Sequence, residues 1–186
     1  WTEATAEKTT ALGDSAHATT NSATALGHDS QATGEFSTAA GVSSRASGSA
    51  SVATGKNATA SGANTIAIGN AANAAGTDSI ATGRQAATTG SNAIATGADS
   101  SAANNASAYG NKAKATGGWS SAFGNESKAA AADASAFGNT ATAAAQDSTA
   151  IGAHSSVTSV ATGGTALGRS SSVTTAGGVA LGQGSA

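Results

Sequence analysis

An all-β parallel solenoid with turns of about 14 residues is predicted by three observations. The first is a small motif ending in glycine, as in Ala67-Ile68-Gly69, which recurs at Gly13, Gly27, Gly41, Gly55, Gly69, Gly83, Gly97, Gly110, Gly124, Gly138, Gly152, Gly168 and Gly182. The step is 14 residues except for one of 13 (Gly97 to Gly110) and one of 16 (Gly152 to Gly168). The second is a period-2 alternation of small and larger residues on either side of each glycine, the mark of short strands with two distinct faces. The third is the absence of proline, which suits a body whose backbone N–H groups are nearly all used in ladders.

Within one turn the elements follow in order. The strand before the glycine has alanine two places back in every copy, from Ala11 to Ala180, and a small residue four places back, from Thr9 to Gly178. One and three places back stand Leu12, Leu26, Val52, Ile66, Ile68, Ile80, Ile94, Tyr109, Phe123, Phe137, Ile151, Leu167, Val179 and Leu181, which are 14 of the 21 apolar residues larger than alanine. The glycine makes the first corner. In the second strand, three places after the glycine is always Ser or Ala, and five places after is Ala except at Thr88, Val157 and Val173. Four and six places after, polar or small residues such as His17, Gln31, Arg45, Lys114 and Lys128 mark a wet face. A second set of glycines half a turn later (Gly34, Gly48, Gly62, Gly76, Gly90, Gly117) marks the other corner, where a positive φ or a close backbone approach is expected. Fourteen extended residues cover roughly 46 Å, enough for two strands of about five residues and two tight corners, so the coil is flattened into two layers.

Rungs about 4.8 Å apart make thirteen turns a rod on the order of 60 Å long. Inward Ala and Ser let the layers close tightly, yet at about 25 cal/mol per Å² they bury too little area to offset the ordering entropy of the chain. The larger apolar residues form a stripe on one outer face, and such a stripe is an interface. The chain is therefore expected to be an obligate oligomer. The two irregular steps, near Asn104-Asn105 and between Ser159 and Gly164, fall where corners tolerate a change of length. The repeat register runs to both ends without a capping segment, and the expectation is of a piece cut from a longer protein.

Composition narrows the function. Charged residues are 10%, aromatics 3% and the formal charge is -2, with no polybasic cluster to bind nucleic acid or an anionic membrane. Cysteine is absent, so disulfides and thiolate metal sites are excluded. No apolar run approaches the ~18 residues that span a bilayer, and no direct membrane contact by this segment is expected.

With the columns aligned, the chain resembles the head repeats of the trimeric autotransporter adhesins, the YadA-like family of Gram-negative outer-membrane proteins. The family signature Asn-Ser-Val-Ala-Ile-Gly-x-x-Ser is similar to Asn64-Thr65-Ile66-Ala67-Ile68-Gly69-Asn70-Ala71-Ala72, to the stretch from Asn92 to Ser100, and to the stretch from Asp147 to Ser155. The resemblance covers residues 1–186 as about thirteen repeats, with no neck, coiled-coil stalk or membrane anchor in the chain. It implies a left-handed parallel β-roll assembled as a parallel homotrimer, the apolar strands facing a shared axis; handedness and the number three come from the resemblance alone. It also implies display at the bacterial surface through type V secretion, anchored by a C-terminal region, with attachment to host extracellular-matrix protein or a cell-surface receptor and with autoaggregation. Positions matching Ile66, Ile68 and Gly69 are linked to collagen recognition in some members, although packing already accounts for that column. Copies such as Ala39-Ala40-Gly41 and Ala53-Thr54-Gly55 carry small or polar residues where the family prefers Val or Ile, and should pack the axis less fully.

No enzyme site, metal site or cofactor is expected. His17, His28 and His154 sit at different places in the coil, with His28 and His154 on the order of 40 Å apart, too far for one metal or one triad. Asp14, Asp29, Asp78, Asp99, Asp133 and Asp147 lie near corners without the Gly-Gly-x-Gly-x-Asp repeat of calcium-binding rolls, and read as solvated turn residues. No glycine run ends in the Gly-Lys-Ser/Thr of a phosphate loop. The polar handles on the variable outer face are Arg45, Lys56, Arg84, Lys112, Lys114, Lys128 and Arg169, and weak contacts repeated on several chains favour a long repetitive ligand through avidity. Two other readings compete. An ice-binding or purely structural solenoid is suggested by Thr19, Thr33, Thr89, Thr116, Thr158 and Thr174, a ladder interrupted by Ala75, Ala103, Ala130 and Ala144. A hexapeptide-repeat acyltransferase is disfavoured because 14 is not a multiple of six.

Overall fold

The computed structural model describes all 186 residues. The chain is an all-β parallel solenoid of 26 short strands with no helix. It forms two compact units, Trp1–Asn92 and Ala93–Ala186. In each unit a two-residue strand alternates with a three-residue strand, so every turn adds one strand to each of two sheets. In the first unit the two-residue strands run from Glu3–Ala4 to Ala87–Thr88 and the three-residue strands from Thr10–Leu12 to Ile80–Thr82. In the second they run from Ser101–Ala102 to Ser172–Val173 and from Ile94–Thr96 to Val179–Leu181.

Register follows the motif. Ile66 pairs with Val52 below and Ile80 above, and Ala67 with Ala53 and Ala81. Tyr109 pairs with Phe123, and Phe123 with Phe137. Each residue therefore stacks on its equivalent in the neighbouring turn, and every column of the sequence becomes a ladder.

The expected five-residue strands are corrected to three and two residues, because the corners take more of the chain. Each corner is a four-residue turn closed by a backbone bond, as in Ser30 N–H to the Gly27 carbonyl (3.2 Å) and Ser37 N–H to the Gly34 carbonyl (3.2 Å). The third residue of the turn has a left-handed backbone, with φ of 55° at Asp29 and 58° at Phe36. That is the arrangement of a type II turn. Its N–H points along the stack and donates to the turn below, Asp29 to Asp14 (2.9 Å) and Phe36 to Asn21 (3.0 Å). Reversal of the chain and stacking of the rungs are thus served by one residue.

The two sets of glycines have different reasons. The motif glycines have positive φ, 131° at Gly69, and a Cβ there would also lie 2.6 Å from the Gly83 carbonyl carbon. The second set does not have positive φ; at Gly62 a Cβ would lie 2.6 Å from the Gly76 carbonyl oxygen. Of the two reasons expected at that corner, a positive φ or a close backbone approach, the close approach is the one at work.

Between the sheets the core is alanine. The four inward columns are buried along the chain, and Val157 is the largest fully buried side chain. Hydroxyls are accommodated locally: Ser30, Ser44, Ser100, Ser127, Ser155 and Ser171 each donate to the carbonyl of the glycine three residues before, at 2.8–3.0 Å. Larger inward residues are matched across the core. Val157 and Val173 pack where Gly164 and Gly178 leave room, a Cβ on Gly164 lying 3.0 and 2.9 Å from their methyl groups. Thr88, the other exception to alanine, meets Ser79 in a buried hydroxyl pair at 2.8 Å. The irregular steps sit in corners: Asn104-Asn105 make a shortened one, and the stretch 158–164 folds into two successive turns.

Candidate functional site

Two surfaces carry the residues singled out from the sequence. The first is the outer face of the three-residue strands. Alanine points inward at the middle of each strand, so the residues on either side must point out. Leu12, Leu26, Ile68, Phe137, Ile151, Leu167, Val179 and Leu181 are exposed there, and Val52, Ile66, Ile80, Ile94, Tyr109 and Phe123 are half-buried. Of the apolar residues larger than alanine, only Val157 and Val173 are in the core. The rest face solvent in the single chain.

Parallel register turns these residues into continuous ladders. In the first unit Val52, Ile66 and Ile80 are consecutive partners. In the second, Tyr109, Phe123 and Phe137 stack face to face, with ring centroids 4.9 and 5.0 Å apart and planes within 14° and 3°. The ladder thins at Ala40, Thr54 and Thr82, the copies with small or polar residues in the motif.

The second surface is the two-residue strands with their adjoining corners. Arg45, Lys114 and Lys128 stand on those strands, Lys56, Arg84 and Arg169 directly after a corner glycine, and Lys112 one place further on; all seven are exposed. Arg45, Lys56, Arg84 and Arg169 fall in different columns or on rungs that are not neighbours. The structure brings together only Lys112, Lys114 and Lys128, which with Asp99, Glu126 and Ser127 line an open concavity of about 470 Å³. Lys112 Nζ donates to Glu126 Oε1 at 3.2 Å.

The histidines are each engaged separately. His17 Nδ1 is 3.0 Å from Glu3 Oε2, His28 Nδ1 is 3.1 Å from Asp29 Oδ2, and His154 Nδ1 is 2.7 Å from Thr140 Oγ1. No three His, Cys, Asp or Glu side chains are grouped to hold a metal ion. Asp29, Asp78, Asp99, Asp133 and Asp147 occupy the left-handed turn position, which Asp and Asn tolerate better than most residues. Their presence at corners is conformational.

One feature of this surface escaped the sequence reading. Asn111, Asn125 and Asn139, each directly after a motif glycine, form an amide ladder: Asn125 Nδ2 donates to Asn111 Oδ1 (3.2 Å) and Asn139 Nδ2 to Asn125 Oδ1 (3.0 Å). The 14-residue spacing of three asparagines was the available signal.

The YadA head domain repeat matches residues 4–30, 32–58, 60–86, 74–100, 129–155 and 159–185. Among solved structures, the collagen-binding domain of the Yersinia adhesin YadA is similar at a TM-score of 0.56 and 28% identity, over 74% of this chain and 69% of that one. No curated protein sequence is matched. The repeat match spans most of the chain, so the chain belongs to the family of YadA head repeats.

Proposed function

We propose that the chain is the surface-exposed head of a trimeric autotransporter adhesin, in which three copies pack their apolar ladders on a common axis and present the wet faces to host matrix or cells. One observation carries this reading: the core of the single chain is alanine, while 14 of the 21 larger apolar residues face out on one sheet. A solenoid with its large apolar side chains outside has the hydrophobic contribution of folding still to gain, and it gains it from copies of itself. A cyclic arrangement of three identical ladders then brings Ile66, Ile80, Phe123 and their equivalents together on one axis.

Family membership supports an adhesin role, with secretion to the outer surface and anchoring by a C-terminal region as its corollaries. The similar YadA domain is a collagen-binding domain, which makes collagen the first matrix ligand to test. Contacts repeated rung by rung on three chains favour fibrous ligands over compact ones through effective concentration. The test has two parts. Light scattering after size exclusion should give three times 17.1 kDa, and the purified trimer should attach to immobilised collagen or another matrix fibre more strongly than to a compact monovalent protein. A folded monomer would remove the axis assignment; preference for the compact ligand would remove the avidity argument. Thermal hysteresis, the property of an ice-binding ladder, should be absent, because Ala75, Ala103, Ala130 and Ala144 break the threonine column.

A further inference from the structure

The Lys112–Lys114–Lys128 concavity in the second unit differs from every other part of the wet face. Lys114 and Lys128 are direct partners in adjacent parallel strands, about 4.8 Å apart, and are the only two cations stacked in that column. Like charges placed opposite one another on a sheet are destabilising. Neither ammonium meets a carboxylate, whereas the neighbouring Lys112 is held by Glu126. Two ammonium groups without a salt-bridge partner therefore share one opening with Asp99, Glu126 and Ser127, where three lysines outnumber two carboxylates.

The site also lies outside the stretches that the repeat model matches. Lys112, Lys114, Glu126, Ser127 and Lys128 all fall in residues 101–128, the longest stretch the repeat model leaves unmatched. The same rungs carry the Asn111–Asn125–Asn139 amide ladder on the adjoining corner. With three lysines against two carboxylates, its charge is opposite in sign to the overall -2.

We infer that this surface binds the sulfate groups of a sulfated polysaccharide, with Lys114 and Lys128 sharing one sulfate and the asparagine ladder contacting adjacent sugar hydroxyls. The chemistry selects this class. Every lining residue is polar or charged, so there is no apolar pocket to anchor a side chain of an acidic peptide. A tetrahedral oxyanion presents oxygens to both ammonium groups at once, in charge-assisted hydrogen bonds. Amide groups, each both donor and acceptor, suit sugar hydroxyls. The inference rests on the reading of the wet face as the ligand-bearing side, and it adds the chemistry of the ligand.

The experiment is retention of the purified chain on immobilised dextran sulfate at physiological ionic strength, against unsulfated dextran, polygalacturonate and poly-glutamate. Dextran sulfate alone should be bound. Lys114→Gln with Lys128→Gln should weaken binding by about tenfold or more, the loss of one charged hydrogen bond being enough for that. Lys114→Arg with Lys128→Arg should retain it, as should Lys8→Glu, which lowers the net charge by the same two units elsewhere. Equal loss in the Lys8→Glu variant would reduce the effect to net charge and overturn the site. Equal binding of polygalacturonate or poly-glutamate would overturn the ligand class. A chain that attaches to collagen but ignores dextran sulfate overturns this assignment and leaves the adhesin reading standing.

Discussion

At the scale of the residue, the corners decide whether the coil can close. Twenty-three residues other than glycine have positive φ, and all but a few of the corner third positions are filled this way. A left-handed L-residue costs roughly 1–2 kcal/mol unless it is glycine or, to a lesser degree, Asn or Asp. Ala71, at φ 55°, has no side chain to compensate, so Ala71→Gly should raise stability by up to about 1 kcal/mol after the entropy of glycine is subtracted. Two residues earlier the direction reverses. Gly69→Ala combines φ 131° with a Cβ 2.6 Å from the Gly83 carbonyl carbon, and should destabilise by about 2 kcal/mol or more. Denaturant unfolding of the pair checks both signs; equal effects would mean that the turn relaxes around either residue.

At the scale of the element, each rung is held by its small inward columns, and departures from alanine larger than serine come with a partner, while the Ser37 and Ser51 hydroxyls are buried without one. Thr88 and Ser79 exchange a hydroxyl bond across the core. Thr88→Val keeps the shape and leaves Ser79 Oγ without that partner, which should cost about 1–2 kcal/mol. Ser79→Ala together with Thr88→Val should recover part of the loss, and a double-mutant cycle reads the coupling. Gly164 tests the opposite case. Gly164→Ala brings a methyl against Val157, Val173 and the Ala161 carbonyl, and Val157→Ala in the same chain should relieve part of the overpacking. Additive effects in that pair would show that the corner backbone, not the valines, limits the space.

At the scale of the whole molecule, the test is whether the apolar ladder is covered. In the isolated chain Ile68 is 42% exposed, so changing it to serine would remove little burial. In a trimer it would remove an axis contact. Ile66, Ile68, Ile80 and Ile94 replaced together by serine should dissociate the assembly and lower the melting temperature sharply, whereas Arg45→Ser should change neither. Light scattering and thermal unfolding on the same samples separate these cases. A quadruple variant with unchanged mass and stability would refute the axis assignment.

The sequence by itself determined the period, the two layers, the columns that face inward and the outer position of the Ile, Leu and Phe residues. The physical reason is that a parallel ladder copies each position onto its equivalent, so a column in an alignment of repeats is a column in space. Tertiary structure alone decided the rest. Strand lengths of three and two followed from left-handed turns, which no single residue type marks, since Ser15, Phe36, Ala50 and Trp119 all occupy them. The matching of Val157 with Gly164 and of Thr88 with Ser79 crosses from one sheet to the other, a direction the 14-residue period does not encode. The clustering of Lys112, Lys114 and Lys128 came from a corner that sets one cation beside two others in one column of adjoining strands, while Arg45 and Lys56 lie on neighbouring rungs in different columns and Arg84 and Arg169 lie two or more rungs from any cation of their own column.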